Sequence, residues 1–107
     1  MRTDPPAAAF EALGDPVRCG VLERLGERPH SAGELAELAG VSPSSMSRHL
    51  RTLLRAELIT DERGSHDARV RMFRLHPEGL AATTAWLDQV QAHWRSNLAS
   101  FKAHVEG

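Results

Sequence analysis

Apolar residues recur at intervals of three and four along most of the 107-residue chain, which is the spacing of one face of an α-helix. Capping residues divide this pattern into short segments. Asp or Ser stands at the start of each of the first four segments, and Gly ends the first three. The pattern therefore predicts four helices, at residues 4–13, 15–26, 31–40 and 42–55.

The pattern changes after the fourth predicted helix. Residues 58–60 and 70–75 are short runs rich in β-forming residues, and turn-forming residues separate them, so they predict a β-hairpin. A long helix is predicted at residues 78–105, since no Gly or Pro interrupts it beyond Gly79 in its first turn. This order of elements is that of a winged helix-turn-helix, a mainly α fold with a small β-hairpin, in a single domain over residues 1–107.

Composition and charge add one feature to this picture. The chain is 41% hydrophobic and 25% charged, as in an ordinary globular domain. Its net charge is only −1, but residues 42–75 hold seven arginines and four acids, a net +3 that leaves −4 for the remainder. This asymmetry concentrates positive potential where phosphates could bind. Solvated arginine-rich loops have the same composition, so charge alone does not identify a DNA partner.

The predicted fourth helix has one apolar and one polar side. Met46, Leu50, Leu53 and Leu54 fall together at helical spacing and are expected to pack on the second and third helices. The polar side would then face solvent. It consists of Ser44, Ser45, Arg48, Arg51, Thr52 and Arg55, with Ser47 and His49 at its flanks.

This polar side has the chemistry needed to read DNA. A helix enters a major groove about 12 Å wide, and small serines at its amino-terminal end allow a close approach. Arg48 can donate two hydrogen bonds to guanine, whereas Arg51 and Arg55 lie further along and are placed for phosphates. Alternatively, the serines only cap the first turn and the arginines form a solvated face. The tight turn before this helix and the basic hairpin after it favour contact with DNA.

Two further regions are candidates for DNA contact. The amino-terminus of the third helix, at Ser31, carries free amides and a partial positive charge that attract phosphate, and His30 stands beside it. The predicted wing, residues 61–70, could reach the adjacent minor groove or the backbone. An ordinary polar loop is the alternative for the wing. Its candidate contact residues are Arg63, His66 and Arg69.

The last helix predicts a second copy of the chain. Its apolar residues recur every seven positions and form a stripe too long for so small a core to cover. Part of the stripe can pack on Phe10 and Leu13 of the first helix, and the rest is expected to meet its equivalent in a homodimer. The two dimerisation helices would be residues 4–13 and 78–105. The interface candidates are Phe10 and Leu13 on the first helix and Leu80, Leu87, Trp94, Leu98 and Phe101 on the last.

Four segments resemble the ArsR/SmtB repressors, a family of winged helix-turn-helix proteins. The resemblance runs from about residue 10 to residue 75, and the long last helix is more similar to the metal-free members. It implies a sequence-specific DNA-binding repressor that binds an inverted repeat as a homodimer, and it implies that residues 44, 45, 47, 48 and 49 lie at the DNA surface. The segments are residues 15–18 (DPVR), 31–36 (SAGELA), 41–50 (VSPSSMSRHL) and 56–59 (AELI).

A metal- or redox-responsive repressor of the same fold is an alternative. His93 and His104 are three helical turns apart, as in the zinc sensors of the resembling family, but Gln91 and Gly107 stand where the other ligands would be. Cys19 is the sole cysteine and has no partner within its chain for a disulfide. The sequence predicts no metal and no cofactor, and a small-molecule effector is unknown.

Other classes of protein fit the sequence less well. The serines near His49 lack an acid to orient its imidazole and a Gly-rich turn for an oxyanion hole, so an enzyme is not predicted. No apolar run reaches the length of a membrane span, and the first residues lack the profile of a signal peptide, so a cytoplasmic protein is expected. A winged-helix module that binds a protein instead of DNA is the remaining alternative.

Overall fold

A computed structural model describes residues 5–64 and 66–106 of the chain. It confirms the predicted mainly helical, winged-helix order of elements. The elements are α1 (Ala7–Leu13), α2 (Pro16–Glu27), β1 (His30–Ser31), α3 (Ala32–Ala39), α4 (Pro43–Arg55), β2 (Ile59–Arg63), β3 (Arg71–Leu75) and α5 (Pro77–Glu106).

Side-chain caps begin three of the helices, as the sequence predicts. Asp15 accepts hydrogen bonds from two backbone N–H groups of α2, and Ser42 accepts one from α4. Ser31 and Glu34 form a reciprocal capping box at the start of α3. Gly40 ends α3 at a φ of 67°, a left-handed conformation that glycine adopts without steric cost. These signals produce the tight turn between α3 and α4.

Helices α1, α2 and α5 each have an end that differs from the prediction by one to three residues. Helix α1 begins at Ala7 and not at residues 4–5, because a residue that precedes proline is disfavoured in helical geometry and Pro5 precedes Pro6. Asp4, the predicted cap, lies outside the described residues. Helix α2 continues through Gly26 to Glu27, since a glycine inside a helix costs only about 1 kcal/mol.

The sheet has three antiparallel strands in the order β1-β3-β2, so the prediction of a two-stranded hairpin is one strand short. His30 and Ser31 pair with Phe73 and Met72 of β3. A two-residue strand has no periodicity of its own, which is why the sequence does not reveal it. Strand β2 also extends further than predicted, and Arg63 therefore pairs with β3 instead of lying in the turn.

The hydrophobic core is formed by residues of helices α1, α2, α3 and α4 and of the sheet. The apolar side of α4 lies in this core, as predicted, and Leu54 is partly buried beside it. Leu13 and Leu80 pack against the core from its edge. The buried apolar residues are Ala9, Ala12, Val21, Leu25, Leu35, Ala36, Met46, Leu50, Leu53, Leu58, Ile59 and Phe73.

Helix α5 consists of a proximal part that packs on the domain and a distal part that does not. Thr83 is buried, and the ring of Trp86 meets Phe10 of α1 edge to face with centroids 5.3 Å apart. From residue 91 to residue 106 every side chain is exposed. The radius of gyration is 18.3 Å, against about 13 Å for a compact chain of this length. The distal part of α5 therefore projects beyond the domain.

The first turn of α5 is set closely against the end of α4. Gly79 lies so near Glu57 that a Cβ at position 79 would overlap the Glu57 carbonyl group. Glu57 itself has a φ of 60°, in the left-handed region. This contact fixes where α5 starts relative to the last turn of α4.

Candidate nucleic-acid interface

The exposed side of α4 carries the predicted hydroxyl and guanidinium groups. Ser44 and Ser47 are exposed, and Ser45 is partly buried. Further along, the exposed guanidinium groups of Arg48 and Arg51 make no ion pair or hydrogen bond within residues 5–64 and 66–106, and the same holds for Arg55. Unpaired guanidinium groups on one helix face are available to DNA.

His49 is held from inside the domain. Its Nδ1 lies 3.2 Å from Nη1 of Arg18, on α2. A guanidinium group can only donate hydrogen bonds, so Nδ1 must accept and the neutral ring carries its proton on Nε2. Helical spacing predicts that His49 lies at the flank of the polar side, which agrees with its partial burial. Spacing along one helix does not predict the contact with Arg18 on another.

The amino-terminus of α3 already holds an anion from its own chain. The N–H group of Ser31 donates to the Glu34 carboxylate at 3.1 Å, and Arg28 donates to the same carboxylate at 3.0 Å. The hydrogen bond from Ser31 and then that from Arg28 lower the pKa of Glu34 below its ordinary value. Ser31 can therefore meet a phosphate only beside this charge.

His30 does not assist Ser31 as the sequence suggests. Its side chain is only 3% exposed, and its Nδ1 lies 2.8 Å from the carbonyl oxygen of Arg28. His30 belongs to β1, and its pairing with Phe73 draws the ring into the core. The unpredicted third strand is thus the reason why this histidine cannot reach DNA.

Acidic residues of β2 neutralise two arginines of β3, the strand that follows the wing. Arg71 pairs with Asp61, and Arg74 pairs with Glu62. The arginines of the wing itself, residues 61–70, are Arg63 and Arg69.

Arg69 is the most exposed of the paired arginines, with 91% of its side chain accessible, although it donates to Asp67 at 3.1 Å. The hydrogen bonds from the side chain and then the backbone of Arg69 lower the pKa of Asp67. Arg63 is exposed and makes no ion pair within the part of the chain that the structure describes. The predicted wing also includes Ser65, which lies outside that part.

A cleft of about 550 Å³ joins the three candidate regions. The start of α3, residues of α4 and the strand β3 line it, with both apolar residues and arginines among them. A DNA strand that passes from a groove occupied by α4 to one occupied by the wing would cross this cleft. Its polar lining residues are Ser31, Ser47, Arg51, Arg69 and Arg71.

The residues considered for metal or redox sensing are not gathered into a site. The Nε2 atom of His93 lies 3.2 Å from the side-chain nitrogen of Asn97, on the exposed part of α5. No group of three or more His, Cys, Asp or Glu that could hold a metal ion occurs among residues 5–64 and 66–106. Cys19 is partly buried, and its thiol lies 3.2 Å from the carbonyl oxygen of Leu13. No helix in the described ranges is both long enough and apolar enough to cross a bilayer.

The cap at Glu34 predicts a pH dependence of stability. Because the folded state lowers the pKa of this carboxyl below its ordinary value of 4.5, the cap stabilises the fold above that pH. The stabilisation is lost as the pH falls through the lower, folded-state value. We expect the melting temperature to hold down to about pH 5 and to fall below about pH 4. The melting temperature of the Glu34→Gln variant should fall less than that of the wild type over this range.

Glu37→Gln is the matched control for this titration, because Glu37 lies on the same helix and its side chain makes no hydrogen bond or ion pair with any described residue. Its melting temperature should follow the wild-type curve. Equal acid-induced losses in the wild type and in Glu34→Gln would show that the capping box does not contribute.

Comparisons with known proteins agree with this geometry. A family model described as a helix-turn-helix domain matches residues 13–62, from the end of α1 into β2. The HTH-type transcriptional regulator Rv2034 of Mycobacterium tuberculosis is 38% identical over 84 residues, which cover 78% of this chain and 76% of that protein. The transcriptional repressor SdpR of Bacillus subtilis is 41% identical over 54 residues, which cover 50% of this chain and 60% of that protein.

Solved structures extend the likeness to the whole fold. An ArsR family transcriptional regulator superposes with a TM-score of 0.77 at 32% identity, covering 90% of this chain and 98% of that one. An ArsR-like transcriptional regulator from Rhodococcus sp. RHA1 superposes with a TM-score of 0.81 at 29% identity, covering 94% and 89%. The chain therefore belongs to the ArsR family of DNA-binding helix-turn-helix transcriptional regulators, which is not a class of enzymes.

Proposed function

We propose that this regulator represses transcription by binding an inverted-repeat operator as a homodimer. In this proposal α4 enters the major groove, and the wing contacts the neighbouring minor groove or the backbone. One observation carries the proposal: α4 buries its apolar side, and on the other side it presents its serines and three guanidinium groups that pair with no described residue. The kinship with a repressor, SdpR, supports the sign of regulation.

The residues of α4 divide into two roles by their position along the helix. Ser44, Ser45 and Ser47 lie near its amino-terminal end, where small side chains allow contact with base edges. Arg48 follows them and would pair with guanine, while Arg51 and Arg55 would bind phosphates further along. Phosphate contacts supply salt-dependent affinity, and base contacts supply the choice of sequence.

The exposed apolar side chains of α5 support a homodimer. Trp94 is 61% exposed and Phe101 is 67% exposed, and Leu87 and Leu98 are nearly half exposed. So large a set of apolar groups on a projecting helix is typical of an interface. Within one chain, Phe10 packs on α5, and Leu13 and Leu80 contact the core. These three residues would therefore support α5 on the side that faces its own domain.

Pairing through α5 would place two α4 helices on one face of the dimer. A symmetric dimer presents the same surface twice, and recognition helices about 34 Å apart fit successive turns of DNA. Such a dimer reads an inverted repeat. Because its partner is DNA, the proposal also supports the cytoplasmic location expected from the sequence.

Binding of Arg48→Ala to the DNA upstream of the gene tests the proposal. We expect this variant to bind about 10- to 100-fold more weakly and to lose discrimination at one guanine per half-site, because a bidentate pair contributes about 1–3 kcal/mol. Fluorescence anisotropy with a set of duplexes that differ at single positions measures both effects.

Arg51→Ala and Arg55→Ala should behave differently from Arg48→Ala. Each should weaken binding to all duplexes alike and reduce the slope of log Kd against log salt by about 1. Arg24→Ala, which removes an exposed arginine from α2, is the matched control and should bind like the wild type. The proposal would be refuted if the wild type bound no duplex at low salt, or if Arg48→Ala bound with wild-type affinity.

A further inference from the structure

Arg18 connects two helices that the backbone does not join directly. Its Nε donates to the carbonyl oxygen of Ala12 at 2.6 Å, and its Nη2 donates to that of Glu11 at 3.2 Å. Its Nη1 donates to Nδ1 of His49 at 3.2 Å. One guanidinium group therefore contacts the carboxyl end of α1 and the middle of α4.

The geometry of these contacts makes the connection rigid. The last carbonyl groups of a helix have no partner within that helix, and Ala12 and Glu11 lie in the last turn of α1. The Glu11 carbonyl also accepts from the N–H group of Gly14, so Arg18 adds a second donor there. A guanidinium group is planar, and its donors have fixed directions. The backbone of Arg18 is also held, because its N–H group donates to the Asp15 cap at 3.3 Å. Little freedom is left for α4 to shift against α1.

Helix α1 is in turn attached to α5. The ring of Phe10 on α1 packs edge to face on Trp86 of α5. The contacts thus run from α5 through α1 and Arg18 to α4. They link the helix that would join the two copies to the helix that would read DNA.

We propose that Arg18 is a positioning residue for DNA binding, an inference that rests on the function proposed above. Arg18 holds α4 at a fixed position relative to α1 and α5, and it keeps the His49 proton on Nε2. A dimer must place both α4 helices at the spacing of one DNA turn, so a loosened α4 loses affinity without the loss of any DNA contact. Direct contact of Arg18 with a phosphate is the competing explanation.

The salt dependence of binding separates these explanations. Anisotropy is measured on the operator duplex at several salt concentrations for the wild type, Arg18→Met and Arg24→Met. We expect Arg18→Met to bind about tenfold more weakly with an unchanged salt slope, since a slope falls only when a phosphate contact is removed. Arg24→Met removes the same charge from the same helix and should stay within about twofold of the wild type. A reduced slope, or unchanged affinity, in Arg18→Met would overturn the proposal.

A double-mutant cycle tests whether Arg18 acts through His49. In a His49→Ala background, Arg18→Met should cost less than about twofold, because the contact is already absent. In a His49→Asn background the cost should return to about tenfold, since the Asn oxygen can accept in place of Nδ1. The proposal would be overturned if the losses of affinity from Arg18→Met and His49→Ala were additive. His49→Ala also serves as a folding control, because it leaves Arg18 bound to α1. We expect this variant itself to bind the operator at least tenfold more weakly.

A measurement without DNA keeps the two proposals distinguishable. A long-range ¹H–¹⁵N NMR spectrum of the wild type at about pH 8 should show the His49 proton on Nε2 and a hydrogen-bonded Nδ1. The hydrogen-bonded signal should vanish in Arg18→Met. If the proton lies on Nδ1 while the operator is bound normally, only the role of Arg18 is wrong. If the wild type binds no duplex, the proposed function fails whatever the ring shows.

Discussion

The Trp94→Glu variant is expected to be a monomer that no longer binds the operator. Trp94 lies on the distal part of α5, where it is 61% exposed. Burying a large apolar side chain is worth about 1.5–3 kcal/mol, and a symmetric interface buries each one twice. A carboxylate there also opposes desolvation. The two copies together lose about 3–6 kcal/mol of burial free energy. Dimerisation should therefore weaken by a factor of about 10² to 10⁴.

Light scattering and anisotropy check this expectation on the same samples. The chain has a mass of 11.7 kDa, and light scattering should give about twice that mass for the wild type. Ser96→Glu is the control, because position 96 lies about 200° around the helix from Trp94 and gains the same charge. It should remain a dimer with wild-type affinity. A monomeric Trp94→Glu that binds with full affinity would separate DNA binding from dimerisation.

The Gly79→Ala variant should be strongly destabilised. Any Cβ at this position overlaps the carbonyl of Glu57, so either α5 or the turn after α4 must move. The turn has little room to adapt, because Glu57 is already in a left-handed conformation. Overpacking of this kind costs about 1–3 kcal/mol or more. We expect a melting temperature lower by roughly 10–20 °C, as 1 kcal/mol corresponds to about 4–8 °C in a domain of this size.

Gly20→Ala is the matched control for this substitution. Gly20 lies inside α2, and apart from the adjacent backbone of that helix a Cβ there would meet no atom of the described residues within 4 Å. The variant should be more stable than the wild type by about 0.5–1 kcal/mol, because alanine favours the helix. Both variants must be compared at one protein concentration, since a dimer makes the melting temperature depend on it. A Gly79→Ala protein as stable as the wild type would show that the turn at Glu57 moves freely.

Local signals in the sequence account for most of the secondary structure. Asp15, Ser31 and Ser42 bond to backbone groups two or three residues away, so each cap can be recognised from a few adjacent letters. The two-sided pattern of α4 extends over thirteen residues and depends only on helical spacing. Together with the family resemblance, these signals are enough to predict the fold and the regulator class.

For the candidate DNA-contacting side chains, the sequence predicts exposure but not hydrogen-bond partners. The structure places Arg48, Arg51 and Arg55 on the exposed side that helical spacing predicts. Spacing does not show that Arg69 bonds to Asp67, or that Ser31 shares its helix end with Glu34 and Arg28. Direct DNA contact by these residues and by the wing remains a prediction.

Contacts between distant residues follow from the tertiary structure alone. Strand β1 exists because β3 lies beside it, and that pairing buries His30. The distance between Arg18 and His49, and the approach of Gly79 to Glu57, join residues 31 and 22 positions apart. Caps and helical faces arise from interactions within a turn or two of the chain, so neighbouring residues encode them. Long-range contacts depend on how the assembled helices pack, which no single stretch of residues specifies.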